Sequence, residues 1–313
     1  MRGAFNAELL RLAQQDERIY LVLADIGYGE IEPFAAAFPD RYFNCGVAEQ
    51  NMTGIACGIA LEGKIAVTYS IANFPTLRPL EQIRNDICYH HANVKIVIIG
   101  GGLAYGPLGV SHQATEDLAI MRALPDMVVC CPADLQEARA AVRAMIAYDG
   151  PFYYRCGYKG EPDLHQGPIN FELGQALQVQ DGRDVTLIGT GTITYRVWQA
   201  AQILEREGVH CRVLSMHTVK PLDREAILAA ARETGGIMTV EEHNLLGGLG
   251  GAVAEVIAQA GVGIPFAIKG LPDAYVHKFG SHDWLLDQYG FAPEALAQSV
   301  RTLLQTPRCE VQA

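Results

Sequence analysis

Short apolar runs alternate with amphipathic stretches along most of the chain. Runs of strand length lie at 19–24, 65–69, 95–99, 127–131, 185–188, 211–214 and 237–240. They are rich in Val and Ile and apolar at odd and even positions alike, the pattern of parallel strands covered on both faces. Between them, residues 50–61, 80–92, 135–147, 195–207 and 224–233 carry helical periodicity. The start, MRGAFNAELLRLAQQDER, reads as a further amphipathic helix, because Glu8 and Gln14 interrupt it too early for the apolar segment of a signal peptide. Strand and helix alternating in this way specify an α/β protein with mostly parallel sheets.

The alternation lapses near residue 160. GYKGEPDLHQGPINFELG holds four Gly and two Pro without a period, which predicts a linker. Two doubly wound domains follow, 1–165 and 183–305, joined by 166–182 and ending in a tail at 306–313. The 313 residues suffice for two domains.

Composition narrows the class. Hydrophobic residues make up 50% and charged residues 19%, which excludes disorder as the main state. The net charge of −11 argues against nucleic acid as a partner. No uninterrupted apolar run reaches the ~18 residues of a membrane span. Eight cysteines (Cys45, Cys57, Cys88, Cys130, Cys131, Cys156, Cys211 and Cys309) form no C-x-x-C pair, and none has His at zinc-ligand spacing. Dispersed so, they read as small buried hydrophobes in a reducing, cytoplasmic setting.

Three segments hold candidate chemistry. In CGVAEQNMTGIACGIAL, Glu49 follows a short strand at 42–45 and opens a helix whose Gly54 and Gly58 offer a smooth packing face. Glu49 is either a first-turn acid favoured by the helix dipole or a buried carboxylate that trades a proton with a ligand nitrogen. In GGGLAYGPLGVSHQATED, three glycines follow the strand at 95–99, where open α/β sheets bind ligands, and His112 sits in the same loop. The spacing fits neither a dinucleotide fingerprint nor a phosphate loop. His112 is either a plain loop residue or a site residue. In PFYYRCG, Arg155 ends an aromatic strand; it is a surface residue with an apolar stem or an anion clamp. Arg2 is the other basic candidate. No G-x-S-x-G elbow is present.

Taken in this order, the segments RYFNCGVAEQNMTGIACGIAL, YSIANFPTLRPLEQIRND, GPLGVSHQATEDLAIMRALPDMVVCCPAD, FYYRCG, HTVKPLD and VEEHNLLGGLGGAVAE resemble the transketolase family across nearly the whole chain. The resemblance implies the pyrimidine-binding and C-terminal domains of a thiamine diphosphate enzyme that moves a two-carbon ketol group from a ketose to an aldose. It implies that Glu49 bonds N1′ of the aminopyrimidine, a charge-assisted contact of about 1.5–3 kcal/mol that biases its tautomers roughly ten- to a hundredfold. Phe74 would stack on the pyrimidine, within a residue or two of register. Asp25 would lie near the cofactor. His112 would meet the donor carbonyl oxygen, and Arg155 and Arg2 would hold a substrate phosphate.

Two departures from the family pattern stand out. A complete transketolase chain is roughly twice as long, and its other half carries Gly-Asp-Gly with a downstream Asn; this chain has no Gly-Asp-Gly. The resemblance therefore implies that the Mg2+ and diphosphate ligands come from an N-terminal subunit, in an α2β2 heterotetramer, with no metal site here. The family's sugar-reading Asp appears as Leu108, and a Ser of its phosphate site as Gly29. Losing a polar reader changes selectivity more than fold, so a deoxy, amino, sulfo or branched sugar comes into view. The alternatives are a 2-oxoacid dehydrogenase β-subunit, a deoxyxylulose-phosphate-synthase-like enzyme, and a silent interaction subunit.

Overall fold

A computed structural model describes residues 1–306 apart from Lys159. Cys309 and all of the expected tail except Thr306 lie outside the described residues. Twelve strands are described: β1 (Ile19–Leu23), β2 (Tyr42–Asn44), β3 (Ile65–Ile71), β4 (Val94–Ile99), β5 (Val128–Cys130), β6 (Phe152–Cys156), β7 (Leu177–Gln180), β8 (Val185–Thr190), β9 (Cys211–Ser215), β10 (Thr218–Lys220), β11 (Ile237–Asn244) and β12 (Phe266–Leu271). They form a seven-stranded sheet in the order β10-β5-β6-β4-β3-β1-β2 and a five-stranded sheet in the order β12-β11-β8-β9-β7. All pairings are parallel except β10 with β5 and β7 with β9.

Burial explains the apolar runs. Every residue of β4, β6 and β8 is buried, and all of β3 but its last. On one face of the first sheet lie Phe5 and Leu9 of helix Arg2–Ala13, with Val142 and Met145 of helix Leu135–Ala147. Met52 and Ala56 of helix Glu49–Leu61, with Ile83 and Ile87, cover the other. Truncating one such core side chain to Ala costs about 2–5 kcal/mol. The solvent side of helix Glu49–Leu61 is different. A Cβ added at Gly54 or Gly58 would meet nothing, so the smooth face packs against no other described element of this chain.

The expected helix over 80–92 starts as an α-helix and then widens. Leu80–Gln82 is α-helical, and Ile83–Cys88 follows with i to i+5 bonds such as Tyr89 N–H to Arg84 O at 3.1 Å. The widened turn frees the Asp86 carbonyl, which accepts from the Cys57 thiol at 3.1 Å.

The expected linker is more ordered than its composition predicts. Residues 177–180 form β7, antiparallel to β9. Two helix caps pin the segment. Asp134 accepts from Gln136 N–H and Glu137 N–H at 2.9 Å each, and its second oxygen takes Leu164 N–H and His165 N–H at 3.0 and 2.9 Å. Asp223 caps its helix at Ala226 N–H, 2.9 Å, and accepts Ala176 N–H at 2.7 Å. The chain also crosses back: β10, from beyond the linker, forms the edge of the first sheet. Lys220 Nζ there donates to Arg122 O at 3.2 Å and to Leu124 O.

A buried ammonium sits in β4. Lys95 Nζ donates to Tyr148 O at 2.6 Å and Gly150 O at 2.8 Å, and burial pushes it down to about 7. In the unfolded chain a Lys titrates near 10.4. Between about pH 7 and pH 10 the unfolded state therefore holds more protons at Lys95 than the folded state, and this group makes stability rise with pH. Comparing urea midpoints of the protein and its Lys95→Met variant across this range should show the difference climbing toward alkaline pH. A flat or falling difference contradicts a depressed Lys95.

Candidate active site

Because the first sheet is parallel in β1, β2, β3, β4 and β6, its loops converge at one edge, beyond the carboxyl ends of the strands. Asp25 follows β1, Glu49 follows β2, Phe74 follows β3, Gly100–His112 follow β4, and Arg155 lies within β6.

Glu49 is the first residue of its helix and is buried. Both carboxylate oxygens lie 2.9 Å from Nη1 of Arg78. Arg78 ends the short helix that starts at Phe74, so its guanidinium carbon sits 4.1 Å from the Phe74 ring centre. The same ring meets His112 edge-on, with centres 5.1 Å apart. Glu49, Phe74 and His112, singled out on separate segments, therefore share one small volume. Arg78 completes the group, although the motifs did not single it out.

His112 lies in a tight turn, Val110–His112, with Nδ1 3.0 Å from Ser111 Oγ. That pairing leaves Nε2 for an outside oxygen. Burial first, and the Arg78 charge second, hold its imidazole below the usual value. The turn is tied to the Phe74 helix by Asn73, whose amide donates to the Gln113 carbonyl. Asn73 Oδ1 and Gln113 Nε2 are buried with no partner. Two orphaned polar atoms beside Phe74 and His112 are the mark of a site that expects a polar occupant.

Arg155 does not reach this volume. It is 6% exposed, and two of its three nitrogens are committed: Nε to Asp117 Oδ2 at 2.8 Å, and Nη2 to Asp117 Oδ1, Ala114 O and Glu242 O at 3.2, 2.9 and 3.0 Å. Through these bonds Arg155 braces the glycine loop from beneath, and its Nη1 takes part in none of them. Asp117 draws the guanidinium inward, and it also accepts Tyr153 OH at 2.7 Å. From the second domain, Glu242 Oε1 accepts Leu103 N–H at 2.5 Å and pairs with His282 Nε2 at 2.8 Å. Burial disfavours protonation of His282, but Glu242 more than offsets it, so the imidazole sits above its usual value. Gly102 has φ +64°, and a Cβ there would lie 2.5 Å from Glu242, so this loop position requires glycine.

Asp25 has φ +55°, and its Oδ1 accepts from Asn44 Nδ2 and Tyr28 OH at 2.9 Å each, which holds it below the usual carboxylate range. Arg2 is paired with Glu30 Oε1 at 2.9 Å and lies over the Tyr158 ring at 5.6 Å. Arg2 and Asp25 line one cleft of about 320 Å3, with Tyr69, Tyr105 and Tyr158. Tyr105 connects it to His112, the ring centres being 6.1 Å apart. Leu108 is exposed, and Gly29 N–H donates to Glu32 Oε1 at 2.8 Å. A larger cavity of about 650 Å3 adjoins the cleft at Tyr158, lined also by His282, Arg196 and Gly101, and does not include Glu49, Phe74 or His112.

The arrangement fits an aromatic, nitrogen-bearing cofactor ring: a buried carboxylate, a phenyl face and two unpaired amide atoms. Among the described residues no three His, Cys, Asp or Glu side chains gather as a metal site would require. No helix among them is long and apolar enough to cross a membrane.

Comparison with known proteins identifies both domains. Residues 1–157 match the family described as transketolase, pyrimidine binding domain, and residues 174–296 match transketolase, C-terminal domain. One of the subunits of the apulose-4-phosphate transketolase of Phocaeicola vulgatus is 39% identical over 300 residues, covering 95% of each chain. The 6-deoxy-6-sulfo-D-fructose transketolase subunit of a Clostridium species is 33% identical over 306 residues, 97% of this chain and 94% of its own. A solved split gene transketolase, described as an inactive beta4 tetramer, superposes with a TM-score of 0.89 at 40% identity over 98% of both chains. The chain therefore belongs to the transketolase family, as a member built of that family's pyrimidine-binding and C-terminal domains.

Proposed function

We infer that this chain is the C-terminal subunit of a split, thiamine diphosphate-dependent transketolase. It transfers a two-carbon ketol group from a ketose, or ketose phosphate, to an aldose. The observation that carries the reading is the buried Glu49 carboxylate beside the Phe74 ring, with His112 against the edge of that ring. Both relatives above are named as transketolase subunits, which favours this reading over a 2-oxoacid dehydrogenase, a deoxyxylulose-phosphate synthase or a silent subunit.

Bound thiamine diphosphate supplies a nucleophilic carbon at C2 of its thiazolium ring. The residues of this chain do the rest. Glu49 holds the aminopyrimidine N1′ and biases its tautomer. Phe74 excludes water from one ring face. Asp25 stands at the neighbouring strand end. His112, with Nδ1 engaged by Ser111, holds or moves a proton at Nε2 toward the donor oxygen. Arg2 faces the cleft for the anionic end of the sugar, and Arg155, which braces the loop through Nε and Nη2, keeps Nη1 for the same phosphate. An exposed Leu108 reads fewer sugar hydroxyls than the family's Asp, and Gly29 gives a phosphate one hydroxyl fewer than the family's Ser, which fits a modified sugar. In this reading the Mg2+ and diphosphate ligands belong to a partner N-terminal subunit, with α2β2 stoichiometry, and the pair works in the cytoplasm.

Native pull-down of this chain with a thiamine diphosphate assay of the eluate tests the assignment. The expected result is a partner carrying Gly-Asp-Gly, with cofactor bound; a lone homo-oligomer that takes up none sinks it. In the reconstituted complex, Glu49→Gln should assemble yet lose activity by about 10²-fold or more in steady-state turnover. Turnover like that of the wild type removes Glu49 from the mechanism. For His112→Ala, cofactor titration should be unchanged while donor turnover falls about 10²-fold; unaltered kcat and KM return His112 to a plain loop residue.

A further inference from the structure

Arg78 has no role in the reading above, yet it holds the carboxylate of its central residue. Its guanidinium is planar, donates in the plane and presents a flat face on either side. The in-plane Nη1 donates to both Glu49 oxygens at 2.9 Å, and the guanidinium carbon lies 4.1 Å from the Phe74 ring centre. An aminopyrimidine held by Glu49 and stacked on Phe74 needs those same two contacts, and both groups cannot occupy one slot.

The two partners are unequally placed. The Glu49 side chain is 4% exposed and the Arg78 side chain 47%. Arg78 can retreat to solvent, where a guanidinium is well hydrated. Glu49 cannot follow, and a buried carboxylate stripped of its cation is strongly disfavoured. Leaving the slot is therefore costly for Arg78 unless another planar donor takes its place.

We propose that Arg78 is a resident stand-in for the cofactor's aminopyrimidine, seated between Glu49 and Phe74 until the cofactor displaces it outward. This rests on Glu49 being the cofactor-activating carboxylate. The apparent affinity for cofactor is then reduced by the fraction of sites in which Arg78 is seated.

The test is calorimetric titration of thiamine diphosphate into the complex of this chain with its co-purified partner. Arg78→Met keeps the apolar stem over Phe74 and removes the donor; Arg78→Ala removes both. The expected result is tighter cofactor binding in both variants, by about three- to tenfold, while the melting temperature of the cofactor-free protein falls. Adding Glu49→Gln to Arg78→Met should recover most of that fall, because no buried charge then lacks a partner. Unchanged or weaker binding in the variants, alongside intact binding by the wild type, overturns the role of Arg78 alone. No binding by the wild-type complex overturns the reading of Glu49 as well.

Discussion

The buried Arg155 guanidinium is where three parts of the molecule are fastened together. It holds the first acid of the helix that follows the His112 loop (Asp117), the carbonyl that closes that loop (Ala114) and a carbonyl of β11 in the second domain (Glu242). A buried charge of this kind stabilises only while every partner is present, and removing one costs about 3–5 kcal/mol. The glycine loop must pass directly over it: a Cβ at Gly101 would lie 2.5 Å from its Nε. The position of Tyr105 and His112, and with it the shape of the cleft, descends from this one fixed cation.

Three buried carboxylates, Glu49, Glu241 and Glu242, differ in who satisfies them. Glu241 accepts Leu249 N–H and Gly250 N–H at 2.7 Å each, from the start of a helix that cannot move away. Glu242 is held by a backbone amide and by His282. Glu49 depends on a single side chain that is itself half-exposed. The donors of Glu241 and Glu242 are fixed in the fold, whereas the donor of Glu49 has solvent to move into. Local wiring tells them apart here, where burial does not.

Much of the fold was readable because it rests on local pattern. Two-sided apolar runs mark the central strands, since a parallel strand covered on both faces has no polar positions. β7, β10 and β12 escaped that reading for a physical reason. They are edge strands, short or half-exposed, with sequences such as LQVQ and TVK that pattern alone cannot separate from a loop. Glu49, Phe74 and His112 were legible as motif residues, and the fold brings them together. Arg155 was legible as a cation but not as a brace, because its acid, Asp117, lies 38 positions away and only the fold sets them side by side. Arg78 carried no signal beyond sitting in the pocket segment. Its meaning depends on reaching Glu49 across 29 positions.

The return of β10 to the first sheet has a consequence in time. As the chain leaves the ribosome, residues 1–165 emerge carrying β1 to β6, but β5 has no outer neighbour until Thr218–Lys220 follows. An unpaired strand edge is a template for association with other chains. The nascent first domain thus waits, one edge open, for a segment made only after the linker and two strands of the second domain. The boundary visible in the sequence is a boundary of composition. It is not a place where synthesis can pause, or where the gene can be cut, and leave a finished sheet behind.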